Sequence, residues 1–95
     1  MKIVFSKIIK NKLDDKHKVK ESEVSECFAN FNGVLLQDSR EEHKTNPATQ
    51  WFIGETDHGR ILKICFVLDN GSVYIKTAYE PNSREISIYN KHNNG

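Results

Sequence analysis

The stretch of residues 50–79, QWFIGETDHGRILKICFVLDNGSVYIKTAY, decides the fold. Two turn signals cut it into three runs. Asp57-His58-Gly59 closes residues 50–56, and Asp69-Asn70-Gly71 separates residues 60–68 from Ser72–Tyr79. Asn-Gly favours the tight two-residue turn whose twist matches that of paired strands. Each run is rich in β-branched and aromatic residues, which fit a pleated, half-buried surface. Strands joined by such short turns are antiparallel neighbours. The stretch therefore predicts a three-stranded meander.

Upstream, residues 2–5 are apolar enough for a short edge strand. Ser6 then suits an N-cap, and the chain to about His17 lacks Pro and Gly. In it Phe5, Ile8, Ile9 and Leu13 fall at helical spacing. A second helix spans residues 21–31. Val24, Cys27, Phe28 and Phe31 follow the i, i+3, i+4, i+7 pattern and make one apolar stripe. Glu21 and Glu23 sit where the helix dipole favours acids. Asn32-Gly33 suits a helix stop with positive φ. Val34-Leu35-Leu36 reads as a short strand, and residues 37–48 as a polar loop, a length often tied to function. Beyond the meander, Glu80-Pro81-Asn82 opens a last helix. Asn82 and Glu85 have capping-box spacing, and Ile86 and Tyr89 share one side. The order is β-α-α-β-β-β-β-α. It defines an α+β domain with an antiparallel sheet of four to five strands, two N-terminal helices and one C-terminal helix. One sheet face is expected under helices and the other partly open.

The 95 residues make one domain, 1–95, with a modest core that favours work at the surface. A hydrophobic share of 37% and a charged share of 28% exclude a disordered chain. No apolar run approaches the ~20 residues that span a bilayer, and the start lacks a signal-peptide core. The expected location is the cytoplasm, with no membrane partner. Cys27 and Cys65 both sit among apolar residues and read as core, not as a disulfide or a nucleophile.

Net charge is only +1, yet its distribution is uneven. Residues 1–20 hold seven lysines against Asp14 and Asp15, a balance of +5; residues 21–46 hold six acids against Arg40 and Lys44, a balance of −4. The basic part can meet phosphate and the acidic part a basic partner. A solvated lysine face is the plain alternative.

His17, His43, His58 and His92 are scattered without metal-ligand spacing, so neither a metal nor another cofactor is expected. No nucleophile elbow or phosphate loop is present. What remains is a set of cations and aromatics near strand ends: His17, Arg60, Lys76, Tyr79 and Arg84 as catalytic candidates, with Lys63, Trp51, Lys10 and Lys12 as RNA contacts. These types suit metal-free RNA cleavage. A base takes the 2′-hydroxyl proton, the freed oxygen attacks the adjacent phosphate, cations stabilise the charge that builds on it, and an acid protonates the 5′-oxygen that leaves as its bond to phosphorus breaks. Trp51 or a tyrosine can stack on an unpaired base. Each residue also has a plain reading. Lys63 and Lys76 can face solvent, Trp51, Tyr79 and Tyr89 can be core, and Arg84 can pair with Glu80 or Glu85. His43 and His58 read as bystanders.

Several segments together resemble one family. Lys16-His17-Lys18-Val19 followed by Glu23-Val24 and Glu26-Cys27-Phe28 is similar to the opening of the BrnT toxins. Residues 51–57 with Gly59-Arg60 look like that family's I-G-x-T-x-x-G-R hairpin. Residues 75–79 with Arg84-Glu85 and Tyr89 look like its last strand and helix. Where many relatives end that strand with Ser-Ala-Arg, this chain has Thr77-Ala78-Tyr79. The resemblance implies a RelE-like fold and a growth-inhibiting endoribonuclease. It also implies a hetero-oligomer with a cognate antitoxin, through which alone operator DNA is bound. By position it points to His17, Arg60, Lys76, Arg84 and Tyr79. A second reading belongs to a different class: a non-catalytic protein-interaction domain of the same fold that binds a small partner protein.

Overall fold

A computed structural model describes residues 2–38 and 47–94 of the chain. The elements are β1 (Lys2–Val4), α1 (Lys7–Lys12), a π-helical turn (Leu13–His17), α2 (Glu21–Ala29), β2 (Leu36–Gln37), β3 (Thr49–Glu55), β4 (Ile61–Asp69), β5 (Ser72–Tyr79) and α3 (Ser83–Asn94). The architecture is α+β. One five-stranded sheet runs β1-β5-β4-β3-β2.

The meander forms as its turns require. Asn70 and Gly71 both adopt positive φ, at 51° and 80°, which gives the tight β4–β5 turn its hand. At the β3–β4 turn Gly59 sits at φ 85°, and the Thr56 hydroxyl accepts from the amides of His58 (3.3 Å) and Arg60 (3.0 Å). β4 lies centrally. It pairs β3 with Phe52 opposite Ile64, and β5 with Ala78 opposite Ile64. A bulge between Cys65 and Phe66 shifts the β4–β5 register and leaves Lys76 without a partner residue across the ladder.

The sheet is mixed, not antiparallel throughout. β1 runs parallel to β5, with Lys2 opposite Ser72. No turn ties these two strands, so neither spacing nor turn chemistry sets their direction. β2 comprises only Leu36 and Gln37, later than the sequence-predicted strand, and pairs β3. The predicted loop 37–48 lies mostly outside the described residues, as does His43.

The first helix also departs from expectation. After six residues, with the Ser6 hydroxyl capping the Ile9 amide at 3.2 Å, it widens into the π turn and ends at Lys18, at φ 53°. Leu13 is buried, but Ile8 is 78% exposed and takes no part in the core. α2 stops at Ala29, and Gly33 has no positive φ. Gly33 instead makes room, because a Cβ there would meet the Tyr89 hydroxyl at 2.6 Å.

β4 explains the layering. Leu62, Ile64 and Phe66 face one side and Lys63 and Cys65 the other, and all five are buried. Phe28 of α2 meets Phe52 and Phe66 edge-on at 4.9 and 5.4 Å between ring centres, so α2 covers the first side. The second side is not left open along β3 and β4. There α3 settles, with Tyr89 5.8 Å from Trp51 and its hydroxyl donating to the Val34 carbonyl at 2.8 Å. A strand buried on both faces needs cover on both, which its apolar run Ile64-Cys65-Phe66-Val67-Leu68 already encodes.

α2 approaches β3 closely where Gly54 faces Cys27. A Cβ at Gly54 would lie 2.8 Å from Phe52 Cε2 and 3.1 Å from Cys27 Cβ. Gly54→Ala is therefore expected to lower unfolding free energy by about 1–3 kcal/mol, read as a reduced denaturant midpoint at unchanged slope.

Candidate functional site

The site begins with a buried cation. Lys63, the third residue of β4, points into the space under α3, and its side chain is only 9% exposed. Such a charge needs a partner. Glu85, in the first turn of α3, provides it, with Nζ and Oε2 2.8 Å apart. The same Oε2 accepts from the Tyr79 hydroxyl at 2.6 Å, while Oε1 accepts from the Asn82 amide at 3.0 Å. In return Asn82 Oδ1 accepts from the Glu85 amide at 2.8 Å, which completes the capping box. One carboxylate thus starts α3, orders Tyr79 and neutralises Lys63. The ammonium lies 4.5 Å over the Trp51 ring and 5.7 Å from the Tyr79 ring centre, a cation–π seat.

The protonation states follow. Burial pulls the Lys63 ammonium down, but its bond to Glu85, together with Cys65 and Tyr79 beside it, outweighs burial and raises the group above its usual range. Burial would raise Glu85, yet Lys63, Tyr79 and the Asn82 amide hold its carboxyl below the ordinary value. Tyr79 is raised, first by burial and then by its bond to Glu85. Burial likewise pushes the Cys27 thiol up to about 12, so it stays protonated and packs as core.

His17 ends the π turn beside this cluster, its ring 5.5 Å from that of Tyr79. Burial lowers its pKa, and Lys12 and Lys16 push it further down, so the imidazole is neutral near pH 7. Arg60 holds this corner. Its guanidinium donates to the Lys18 carbonyl (2.8 Å), Glu23 Oε1 (2.9 Å) and the His17 carbonyl (3.4 Å), and lies 3.6 Å from Glu80. Burial alone would raise the Glu23 carboxyl, but the Lys20 amide and Arg60 hold it below the usual range. Arg60 is thus a brace for the left-handed turn at Lys18 rather than an unengaged cation.

Beyond Trp51 and Lys63 a groove of about 650 Å³ opens between α3 and β2–β3. Arg84, Ile88 and His92 form its α3 wall, and Leu36, Gln37 and Asp38 the opposite one. Arg84 is exposed, and neither acid proposed as its mate takes it, since Glu85 holds Lys63 and Glu80 faces Arg60.

Of the sequence-derived candidates, His17, Arg60, Tyr79, Lys63, Trp51 and Arg84 gather at this end of the sheet. Lys76 does not join them. It stands exposed at the bulge, with no hydrogen bond or ion pair among the described residues. Lys10 and Lys12 lie on α1, and only Lys12 acts electrostatically on His17. Trp51 is no open platform, because Lys63 occupies one ring face. Sequence reasoning missed Glu85 as the ion partner of Lys63, Glu23 as the partner of Arg60, and His92 with Ile88 as groove wall. A signal existed for the first: Lys63 sits between Leu62 and Ile64, and a lysine inside a fully buried run demands an acid.

Fold and site together define a small α+β domain with a braced polar cluster at one end of its sheet and an adjoining amphipathic groove. No protein-family model matches the chain, and no curated protein does. Among the described residues no three His, Cys, Asp or Glu side chains are placed to hold a metal ion, and no helix is long and apolar enough to cross a membrane.

Glu85→Ala strands a buried ammonium and is expected to cost about 3–5 kcal/mol, whereas the double variant Lys63→Met/Glu85→Gln is expected to be close to neutral; chemical denaturation of both measures the asymmetry. The pair also sets a pH window. Its carboxyl is lowered and its ammonium raised on folding. The stabilisation is therefore complete between the unfolded values of about 4.3 and 10.4. It fades as pH falls through the folded Glu85 value or rises through that of Lys63. Thermal melts across pH are expected to lose this dependence in the double variant.

Proposed function

We propose that this chain is a metal-independent endoribonuclease of the toxin type, acting in the cytoplasm and neutralised by a cognate antitoxin. The observation that carries the reading is the His17 imidazole, 5.5 Å from the ring of Tyr79 in the ordered Tyr79–Glu85–Lys63 cluster, whose Lys63 and Glu85 line a groove with Arg84, an arginine without an ion-pair partner among the described residues. His17 is the base for the 2′-hydroxyl proton. It needs no metal, because a neutral imidazole accepts a proton directly and Arg84 is free to meet the phosphoryl oxygens. Arg60 and the Tyr79–Glu85–Lys63 set hold the geometry. The resemblance to BrnT toxins supports the same reading from the sequence side.

One observation favours a second reading. Arg60 and Lys63, two of the cations expected to serve RNA, are already matched by Glu23, Glu80 and Glu85. A partner-binding domain without nuclease activity would have that internal balance.

The test is cleavage of a labelled single-stranded RNA by the purified chain in EDTA, with product ends analysed. The expected result is 2′,3′-cyclic phosphate ends, undiminished by EDTA and reduced about 100-fold or more in His17→Ala. Intact RNA with a folded protein, both without and with ribosomes, assigns the chain to the partner-binding class.

A further inference from the structure

We propose that the open edge of β2 takes an extended segment of a partner protein as an added strand, with a carboxylate and an apolar side chain of that segment turned into the groove. This deepens the reading of a chain neutralised by a partner and rests on it for the existence of that partner. The docking itself does not depend on RNA cleavage.

The ladder defines the edge. β2 ends the sheet order, with only β3 beside it. Leu36 stands opposite Trp51 and Gln37 opposite Gln50, and the Asp38 amide donates to the Thr49 carbonyl at 2.8 Å. In an antiparallel pair alternate residues turn their amide and carbonyl toward the neighbour. Leu36 and Asp38 thus bond inward, and the amides and carbonyls of Leu35 and Gln37 point outward. Both residues are exposed, and neither backbone has a partner outside the β2–β3 ladder among the described residues. The next place on the ladder, Val34 against Ile53, is taken. There the Tyr89 hydroxyl accepts from the Val34 amide at 3.2 Å and donates to its carbonyl at 2.8 Å. The free edge therefore begins at Leu35.

Exposed edges are commonly guarded by lysine, proline or a bulge. Residues 33–37, Gly-Val-Leu-Leu-Gln, carry no charge and no proline. Apolar surface flanks this edge on both faces. One step along the register from Leu36, Leu35 comes level with Phe52 and so lies on the α2 face, 43% exposed. Phe31, 38% exposed, meets Phe52 there at 5.0 Å between ring centres. On the α3 face Leu36, Trp51 and Ile88, the last 41% exposed, line the groove of about 650 Å³. A strand laid along β2 sends successive side chains to opposite faces, so one segment covers both patches. Main-chain bonds then give affinity and the side-chain positions selectivity.

Arg84 fixes the charge of the occupant. It lines the same groove, is exposed, and has no ion-pair partner among the described residues. Lys63 and Glu85, also in the groove lining, neutralise each other at 2.8 Å. An acid on the groove side of the added strand supplies the missing partner and competes there with the phosphate assigned above to the same cation. A second copy of this chain is the poorer fit, because its own run 33–37 brings no acid to Arg84. A nucleic-acid strand has no row of backbone amides and carbonyls to pair with Leu35 and Gln37.

The probe is a phage-displayed library of short random peptides selected on the whole chain. The expected enrichment is alternating apolar residues with an acid, and selection on Arg84→Glu should exchange that acid for a base. A synthetic peptide of the enriched sequence should change Trp51 emission saturably, since Trp51 lines the groove and is the only tryptophan of the chain. It should also slow hydrogen exchange at the Leu35 and Gln37 amides. Methylating alternate backbone nitrogens of the peptide separates strand addition from other docking. One alternate set should weaken binding about tenfold or more and the other should leave it unchanged. Ile88→Asp should weaken binding by a similar factor. No enrichment, unprotected Leu35 and Gln37 amides, or equal loss with both methylated sets overturns the proposal. Self-association of the chain that protects those amides without peptide also overturns it and gives the edge to a second copy. RNA cleavage by a chain that enriches no peptide would remove the edge proposal alone. Peptide binding without RNA cleavage would remove the nuclease reading and leave the edge.

Discussion

An ammonium group taken out of water into a sheet face is destabilising by several kcal/mol unless a partner of opposite charge is held in good geometry. Lys63 meets that condition only because α3 begins where it does. Glu85 is fixed by its capping bonds to Asn82 before it reaches the lysine, so little side-chain freedom remains to be lost when the ion pair forms. The same contact docks α3, orders Tyr79 and holds the ammonium over the Trp51 ring beside the groove. Removing Glu85 alone would unsettle helix, cluster and groove together. The two aromatic rings add a cation–π seat that an aliphatic lining would not offer.

The second organising element is Arg60. One guanidinium spans two backbone carbonyls at the end of the π turn and two carboxylates from α2 and the β5–α3 connection. A left-handed residue such as Lys18 costs backbone energy. The Lys18 carbonyl is held by Arg60, which helps keep that conformation and so the place of His17. Rigid support of this kind is what a reacting imidazole requires, since small misplacements in a site cost large factors in rate. It is also what a purely structural corner would have. The two classes part on RNA products.

The local elements were legible for local reasons. Asn70-Gly71 dictated its turn because few other residue pairs take two positive φ values, and the structure has both. Ser6 and the Asn82–Glu85 pair capped their helices as spacing alone required. Val24 and Cys27 fell on the buried stripe of α2. Legibility failed where partners are remote. Gly33 looked like a helix stop but serves Tyr89 in another element. Arg60 and Arg84 looked equivalent, and only three-dimensional neighbours make one a brace and the other a groove residue.

By itself the sequence determined the element order, the meander, the N-caps at Ser6 and Asn82, and the buried cysteines. Each depends on residues within a few positions of one another, or on a period that repeats along one element. Only the tertiary structure decided that β1 runs parallel to β5, that α3 lies on the face opposite α2, and that Lys63 is buried beside Glu85. These depend on which surfaces meet across the sheet. That choice minimises exposed apolar area and unpaired charge over the whole chain, and no short stretch of residues contains it.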